Sequence, residues 1–262
     1  MKITNHFRRE AEIFLTAVMF FTRWPVPRWV GHGEAELNAA SRYFPWVGIG
    51  VGLWAAMWTG LAALILPLPL AVLLGLFSTL WGTGAFHEDG LADMVDGFGG
   101  GYTRERVLEI MQDSRVGSFG AAALVLALAI KSTALIFLGW PLVIWALIAG
   151  HAWSRFVAVT LIYTHEYARA EGKAKPLATK MTGAGVMVAC GGGILPLGVL
   201  VALTGQWSVL LCIPTTFAVR GWMARGFHAR IGGYTGDCLG AVQQVSEIVF
   251  YLTLLACVWK SS

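Results

Sequence analysis

About seven stretches of the chain are apolar over nearly the length that an α-helix needs to cross a hydrocarbon core, roughly 20 residues, and nothing constrains the fold more. They run over 43–66, 69–87, 118–138, 140–163, 183–204, 207–226 and 241–259. A chain of 262 residues with 56% apolar and only 13% charged side chains lies far outside the range of water-soluble domains. In lipid, backbone N–H and C=O groups must find partners within the protein. The expected fold class is therefore all-α, a polytopic membrane helix bundle of about seven spans. The apolar segments leave no polar stretch large enough for a second core, so 1–262 reads as one membrane domain. The cysteines Cys190, Cys212, Cys238 and Cys257 are far apart and form no C-x-x-C pair, which suggests neither a disulfide framework nor a zinc site.

The connectors fix an orientation. Those near Pro67, at Gly139 to Pro141 and at Thr204 to Trp207 are short and carry no Lys or Arg. The others are basic: one holds Arg104, Arg106 and Arg115, a second Arg169, Lys173, Lys175 and Lys180, and a third Arg225 and Arg230. Because the two kinds alternate, the positive-inside rule puts every charged loop on the cytoplasmic side, including segments 88–117 and 164–182. The N-terminal segment 1–42 has an apolar core of about a dozen residues followed by Arg23-Trp24-Pro25 rather than a small-residue cleavage site. It is expected to be an interfacial or re-entrant helix ended by Pro25 and Pro27, with the membrane surface as its partner.

Within this apolar chain the string HEDGLADMVDG, His87 to Gly97, gathers Glu88, Asp89, Asp93 and Asp96. If the preceding helix continues through it, the three aspartates stand at i, i+4 and i+7, within about 60° of one another at about 100° per residue. Like charges crowded at the edge of a low dielectric need a counter-cation, and oxygen ligands without His or Cys suit magnesium or manganese. The plain alternative is a hydrated helix end paired with Arg104, Arg106 or Arg115. The glycine-rich GFGGG that follows can let backbone N–H groups approach an anion, although flexible loops are often glycine-rich too. Val107 to Met111 reads as a short amphipathic helix with Glu105 and Glu109 on its solvated face.

Further polar groups reach the same side. Asp237, between glycines before the last span, suits a metal ligand, a general base or a helix cap. His151 and Arg155, four apart in one span, suit either an internal carboxylate pair or substrate contact. Lys131 and Arg220 are expected to snorkel or pair internally. Lys173 and Lys175 suit an anionic substrate or lipid headgroups equally.

Taken in order, FFTRWPVP, HEDGLADMVDGFGGG, DSRVGSFG, KPLA and TGDCLGA resemble the cobalamin synthase family, the adenosylcobinamide-GDP ribazoletransferases, over essentially the whole chain. The resemblance implies a Mg2+-dependent enzyme of the bacterial inner membrane that joins adenosylcobinamide-GDP to α-ribazole or its 5′-phosphate and releases GMP. The mechanism expected from the residues for that reaction has Asp89, Asp93 and Asp96 as metal ligands, Glu88 or Asp237 as the acceptor of the ribazole 5′-hydroxyl proton, and Arg115 and Arg155 as phosphate clamps. Arg104, Asp113, Ser114, Lys173 and Lys175 complete the expected substrate contacts. No nucleic-acid partner is expected, and self-association is left open. Asp93 to Gly97 also matches the D-x-x-D-G opening of the CDP-alcohol phosphotransferases, but the second half of that motif is missing. A divalent-cation transporter is the rival from another class; its site would be expected near the bilayer midplane rather than at a helix end beside an Arg-bearing loop.

Overall fold

Every apolar segment folds as helix, the only open structure whose backbone is satisfied in hydrocarbon. The computed structural model describes residues 2–31, 33–168 and 180–259. Its helices are α1 (Lys2–Phe21), α2 (Glu34–Ala40), α3 (Phe44–Ala63), α4 (Leu68–Thr83), α5 (Phe86–Gly100), α6 (Arg104–Ile110), α7 (Ser118–Leu138), α8 (Leu142–Thr164), α9 (Gly183–Thr204), α10 (Cys212–Ile231) and α11 (Gly236–Trp259). Among the described residues, five helical stretches are long and apolar enough to cross a membrane: Glu36–Ala63, Ser118–Leu138, Leu142–Thr164, Gly183–Thr204 and Gly236–Trp259. The bent pair α4 and α5 makes a sixth if counted as one crossing. The sixth expected segment, 207–226, is a short 3-10 turn followed by α10, whose Arg220, Arg225 and Arg230 dilute its apolar character.

The centre of the bundle is α8, buried on nearly all sides from Val143 to Ile162. A helix apolar all round belongs in such a position. It is gripped by α3 through two glycines four residues apart. A Cβ on Gly48 would fall 2.5 Å from the His151 carbonyl oxygen, and one on Gly52 would fall 2.5 Å from Ile148 Cα. Small residues at this spacing let two membrane helices touch backbone to backbone, as the glycine-rich GIGVG string implies. The amphipathic α1 lays Ile13, Ala17 and Phe21 onto the bundle, and Glu10 fastens it through Arg42 and the Tyr43 hydroxyl at 2.8 and 2.6 Å.

One expectation is corrected here. The carboxylate string does not continue the preceding span, because the chain turns by 86° between α4 and α5. Gly84 and Ala85 both adopt left-handed backbone, with φ of 66° and 56°. For alanine that conformation costs about 1–2 kcal/mol, so tertiary contacts must hold it. One of them is the Arg23 amide, which donates to the Gly82 carbonyl at 2.8 Å.

The Lys- and Arg-bearing connectors meet at one end of the bundle. Arg104 donates to the carbonyls of Ile231 and Ala168 at 3.0 and 2.7 Å, and Arg230 to those of Phe98 and Gly101. A parallel bridge joins Tyr167 to Tyr234. The uncharged connectors lie at the opposite helix ends, the arrangement expected from their charge pattern.

Candidate active site

The helix α5 carries four acids that point in different directions. Asp89 is exposed, Glu88 and Asp93 are half-buried, and Asp96 is buried. Two glycines bring the start of α11 against this helix. A Cβ on Gly90 would lie 3.1 Å from both Cα and O of Asp237, and one on Gly240 would lie 3.2 Å from the His87 carbonyl oxygen. The approach sets Asp237 beside the α5 turn that carries Asp89 and Asp93. Thr235 caps α11 by accepting from the Cys238 amide at 3.3 Å, and its hydroxyl lies 3.3 Å from Asp237 Oδ2.

Asp96 departs from its expected place as a metal ligand. Its Oδ2 accepts from the Gly117 amide at 2.7 Å and its Oδ1 from the Gly120 amide at 2.8 Å, so the carboxylate closes the N-terminus of α7. Those amides have no partner inside α7, and the positive end of the helix favours an anion there. The glycine string is also put to a different use. Gly97 to Gly100 finish α5 rather than forming an anion-cradling loop, and a Cβ on Gly101 would fall 2.7 Å from the Val107 amide nitrogen. They are the floor on which α6 packs. In α6 itself, Val107 is buried while Glu109 faces outward and pairs with Arg106, as its pattern predicts.

The expected phosphate-binding arginines divide. Arg115 is exposed and bound at 2.5 Å to Asp113 in the same loop, two residues before the Gly117 that Asp96 caps. Hydrogen bonds from Arg115 hold the Asp113 carboxyl down to about 2. Ser114 is exposed between them. Arg104 is spent on backbone carbonyls, which assigns it to joining loops rather than to substrate. Arg155 is buried inside the bundle, donating to the His151 carbonyl at 2.9 Å and lying over the Phe21 ring. Arg220 likewise pairs internally, with the Thr160 carbonyl at 3.0 Å. Lys173 and Lys175 lie outside the described residues.

The largest polar assembly was not foreseen from the sequence. Glu247, in the middle of α11 and fully buried, lies 3.1 Å from Lys131 Nζ and 3.2 Å from His151 Nδ1. It also accepts from Gln243 at 2.6 Å and from the Tyr251 hydroxyl at 3.3 Å. Lys131 donates to Gln244 at 2.6 Å, and Gln244 donates to Glu88 Oε1 at 2.9 Å. The pairing of Lys131 and His151 within the membrane matches one of the expected alternatives. The partners Gln243, Gln244 and Glu247 could have been found as three polar residues crowded into one spanning segment.

A three-aspartate metal platform does not fit, since Asp96 serves α7. Among the described residues, no three His, Cys, Asp or Glu side chains gather closely enough to hold a metal ion by themselves. A different arrangement does fit. Asp89 and Asp93, one turn apart on α5, offer hard oxygen donors toward the side of the helix away from the inward-turned Glu88. Magnesium usually takes one or two carboxylates and completes its shell with water and substrate phosphate. The residues therefore suit a magnesium ion that arrives with a diphosphate.

The family described as cobalamin-5-phosphate synthase matches residues 13–255. An adenosylcobinamide-GDP ribazoletransferase of Shewanella amazonensis is 48% identical over 262 residues, covering 98% of this chain and 99% of its own. Proteins of the same name from Leptothrix cholodnii and Vibrio parahaemolyticus are 44% and 42% identical, covering 97% and 94% of their own lengths and 95% of this chain. No solved structure matched the chain. A family match over residues 13–255, with relatives up to 48% identical over nearly the whole length of both chains, means that the chain belongs to the cobalamin-5-phosphate synthase family of transferases.

Proposed function

We propose that the chain transfers the adenosylcobinamide phosphate of adenosylcobinamide-GDP to a ribose hydroxyl of α-ribazole or its 5′-phosphate, releasing GMP, with Mg2+ as cofactor. The observation that carries the reading is the contact of Gly90 with Gly240, which sets the Asp89 and Asp93 turn of α5 beside Asp237 at the cation-rich end of the bundle. That end faces the cytoplasm of a bacterial inner membrane if the positive charges are inside. The family description speaks of a 5-phosphate product. In α-ribazole 5′-phosphate the 5′-oxygen is already esterified and cannot attack, so with that acceptor the nucleophile is another hydroxyl of the ribose.

Asp89 and Asp93 would hold the magnesium ion, which when bound neutralises charge on the diphosphate. Asp237 accepts the proton as the ribose oxygen attacks the phosphorus nearest cobinamide. The new P–O bond forms as the bridging P–O bond breaks, and GMP leaves with its electron pair. Glu88 is the weaker candidate for the base, since its Oε1 is committed to Gln244 inside the bundle. Arg115 is placed on the exposed loop, where a fork-shaped cation can exchange Asp113 for a phosphate.

The test uses detergent-solubilised protein with both substrates and magnesium, reading GMP by chromatography. Asp93→Asn lowers transfer by about 100-fold or more, the scale set by removing a group that stabilises transition-state charge. Near-normal activity in this variant would overturn the placement of the site on α5.

A further inference from the structure

The helix that carries the candidate site hangs from the preceding span by Gly84 and Ala85 alone, so its rotation about its own axis must be set by something else. Glu88, the neighbour of Asp89, supplies a handle. Its side chain does not follow Asp89 outward. It reaches Gln244, two turns along α11 from Asp237, at 2.9 Å. Behind Gln244 stand Lys131 at 2.6 Å and Gln243 at 2.8 Å, and behind these Glu247, with Lys131, Gln243, Gln244 and Glu247 all buried. The chain of contacts therefore joins α5, α7 and α11 through groups that cannot turn to water instead.

We infer that Lys131 and Gln244 are positioning residues, which hold Glu88 and thereby fix the direction in which α5 presents Asp89 and Asp93. A slip of α5 by one residue turns it by about 100°. That slip would take Glu88 off Gln244 and leave its carboxylate unpaired at an apolar interface, which a low dielectric strongly disfavours. The Gly90 and Gly240 contact permits close approach but offers no directional bond; Asp96 fixes the far end of α5 on the Gly117 and Gly120 amides, and the bond from the Gln244 amide to the Glu88 carboxylate specifies the rotation at the end that carries Asp89. The same bond explains why the first acid of the acidic string turns inward. The inference rests on the reading of α5 as the site of transfer.

Two variants remove the tether, Gln244→Leu and Glu88→Met, and one restores it, Glu88→Gln, whose amide oxygen can still accept from Gln244. Hydrogen exchange of the α5 amides in detergent reads the tether directly, and steady-state kinetics reads its effect as KM for adenosylcobinamide-GDP against kcat. In Gln244→Leu and Glu88→Met the α5 amides exchange faster and KM rises about tenfold or more, the usual cost of losing a group that orients metal ligands, with kcat changed less. Glu88→Gln recovers most of both losses relative to Glu88→Met. Wild-type values for either readout in Gln244→Leu overturn the inference. If Gln244→Leu does not fold, the Glu88→Met and Glu88→Gln pair decides alone. A fall in kcat of about 100-fold in Glu88→Gln, with α5 exchange unchanged, also overturns it, because that is the mark of a proton acceptor. The exchange arm does not depend on turnover. Failure of the wild-type chain to release GMP would sink the proposed reaction while leaving the tether standing or falling on its own result.

Discussion

Asp113 and Arg115 show how far a single surface contact can shift a group. Their hydrogen bonds keep the Asp113 carboxyl at about 2, below the ordinary value of 3.8. The folded value is depressed, so the contact contributes above the ordinary carboxylate range and is lost as pH falls through about 2. Both groups are open to solvent, and salt screens the pair. Carbon NMR of labelled carboxyls in detergent is expected to find Asp113 titrating near 2, with Arg115→Ala returning it toward 3.8. At this scale the sequence was partly legible. Asp89, Asp93 and Asp237 announce themselves as acids at the edge of apolar segments. The partnership of Glu88, Lys131, His151, Gln244 and Glu247 did not, because its members are spread over 160 positions of chain and only packing brings them together.

At the scale of the element, helix periods were readable and helix ends were not. Asp89, Asp93 and Asp96 do share α5, yet the elbow at Ala85 depends on a left-handed alanine that no propensity predicts. The glycine string was misread for a related reason: a residue without a side chain serves a phosphate or a packed helix equally well, and only the position of Val107 and Met111 chose between them. Asp96 belongs to the same class, since a carboxylate attracted to a dication is also attracted to open amides. Asp96→Ala is expected to cost about 0.5–2 kcal/mol as a lost cap. Hydrogen exchange at Gly117 to Ala121 then accelerates by about twofold to thirtyfold. Unchanged exchange there would make Asp96 a candidate metal ligand again.

For the whole molecule, the alternation of charged and uncharged connectors was the most informative pattern, and the loops it groups together do meet. Arg104, Arg230 and the Tyr167 to Tyr234 bridge tie connectors that are more than 60 residues apart into one surface. Among the described residues five helices, or six with the bent α4 and α5 pair, have the length and apolarity of a span, and α10 falls short because Arg220, Arg225 and Arg230 interrupt it. Orientation is checkable with single cysteines placed at Tyr102, which is 95% exposed, and at Trp140, at the opposite end and 59% exposed. In spheroplasts a membrane-impermeant maleimide is expected to label Trp140→Cys directly and Tyr102→Cys only after permeabilisation. The reverse pattern would place the acids outside the cell.

The elbow between α4 and α5 makes the membrane span a ruler for the acids. Each residue inserted into or deleted from α4 would displace the hinge by about 1.5 Å along the bilayer normal and swing it by about 100°. Length variation in this part of the chain is therefore disallowed on geometric grounds, whereas the uncharged turn at Gly139, far from the acids, is free to grow or shrink.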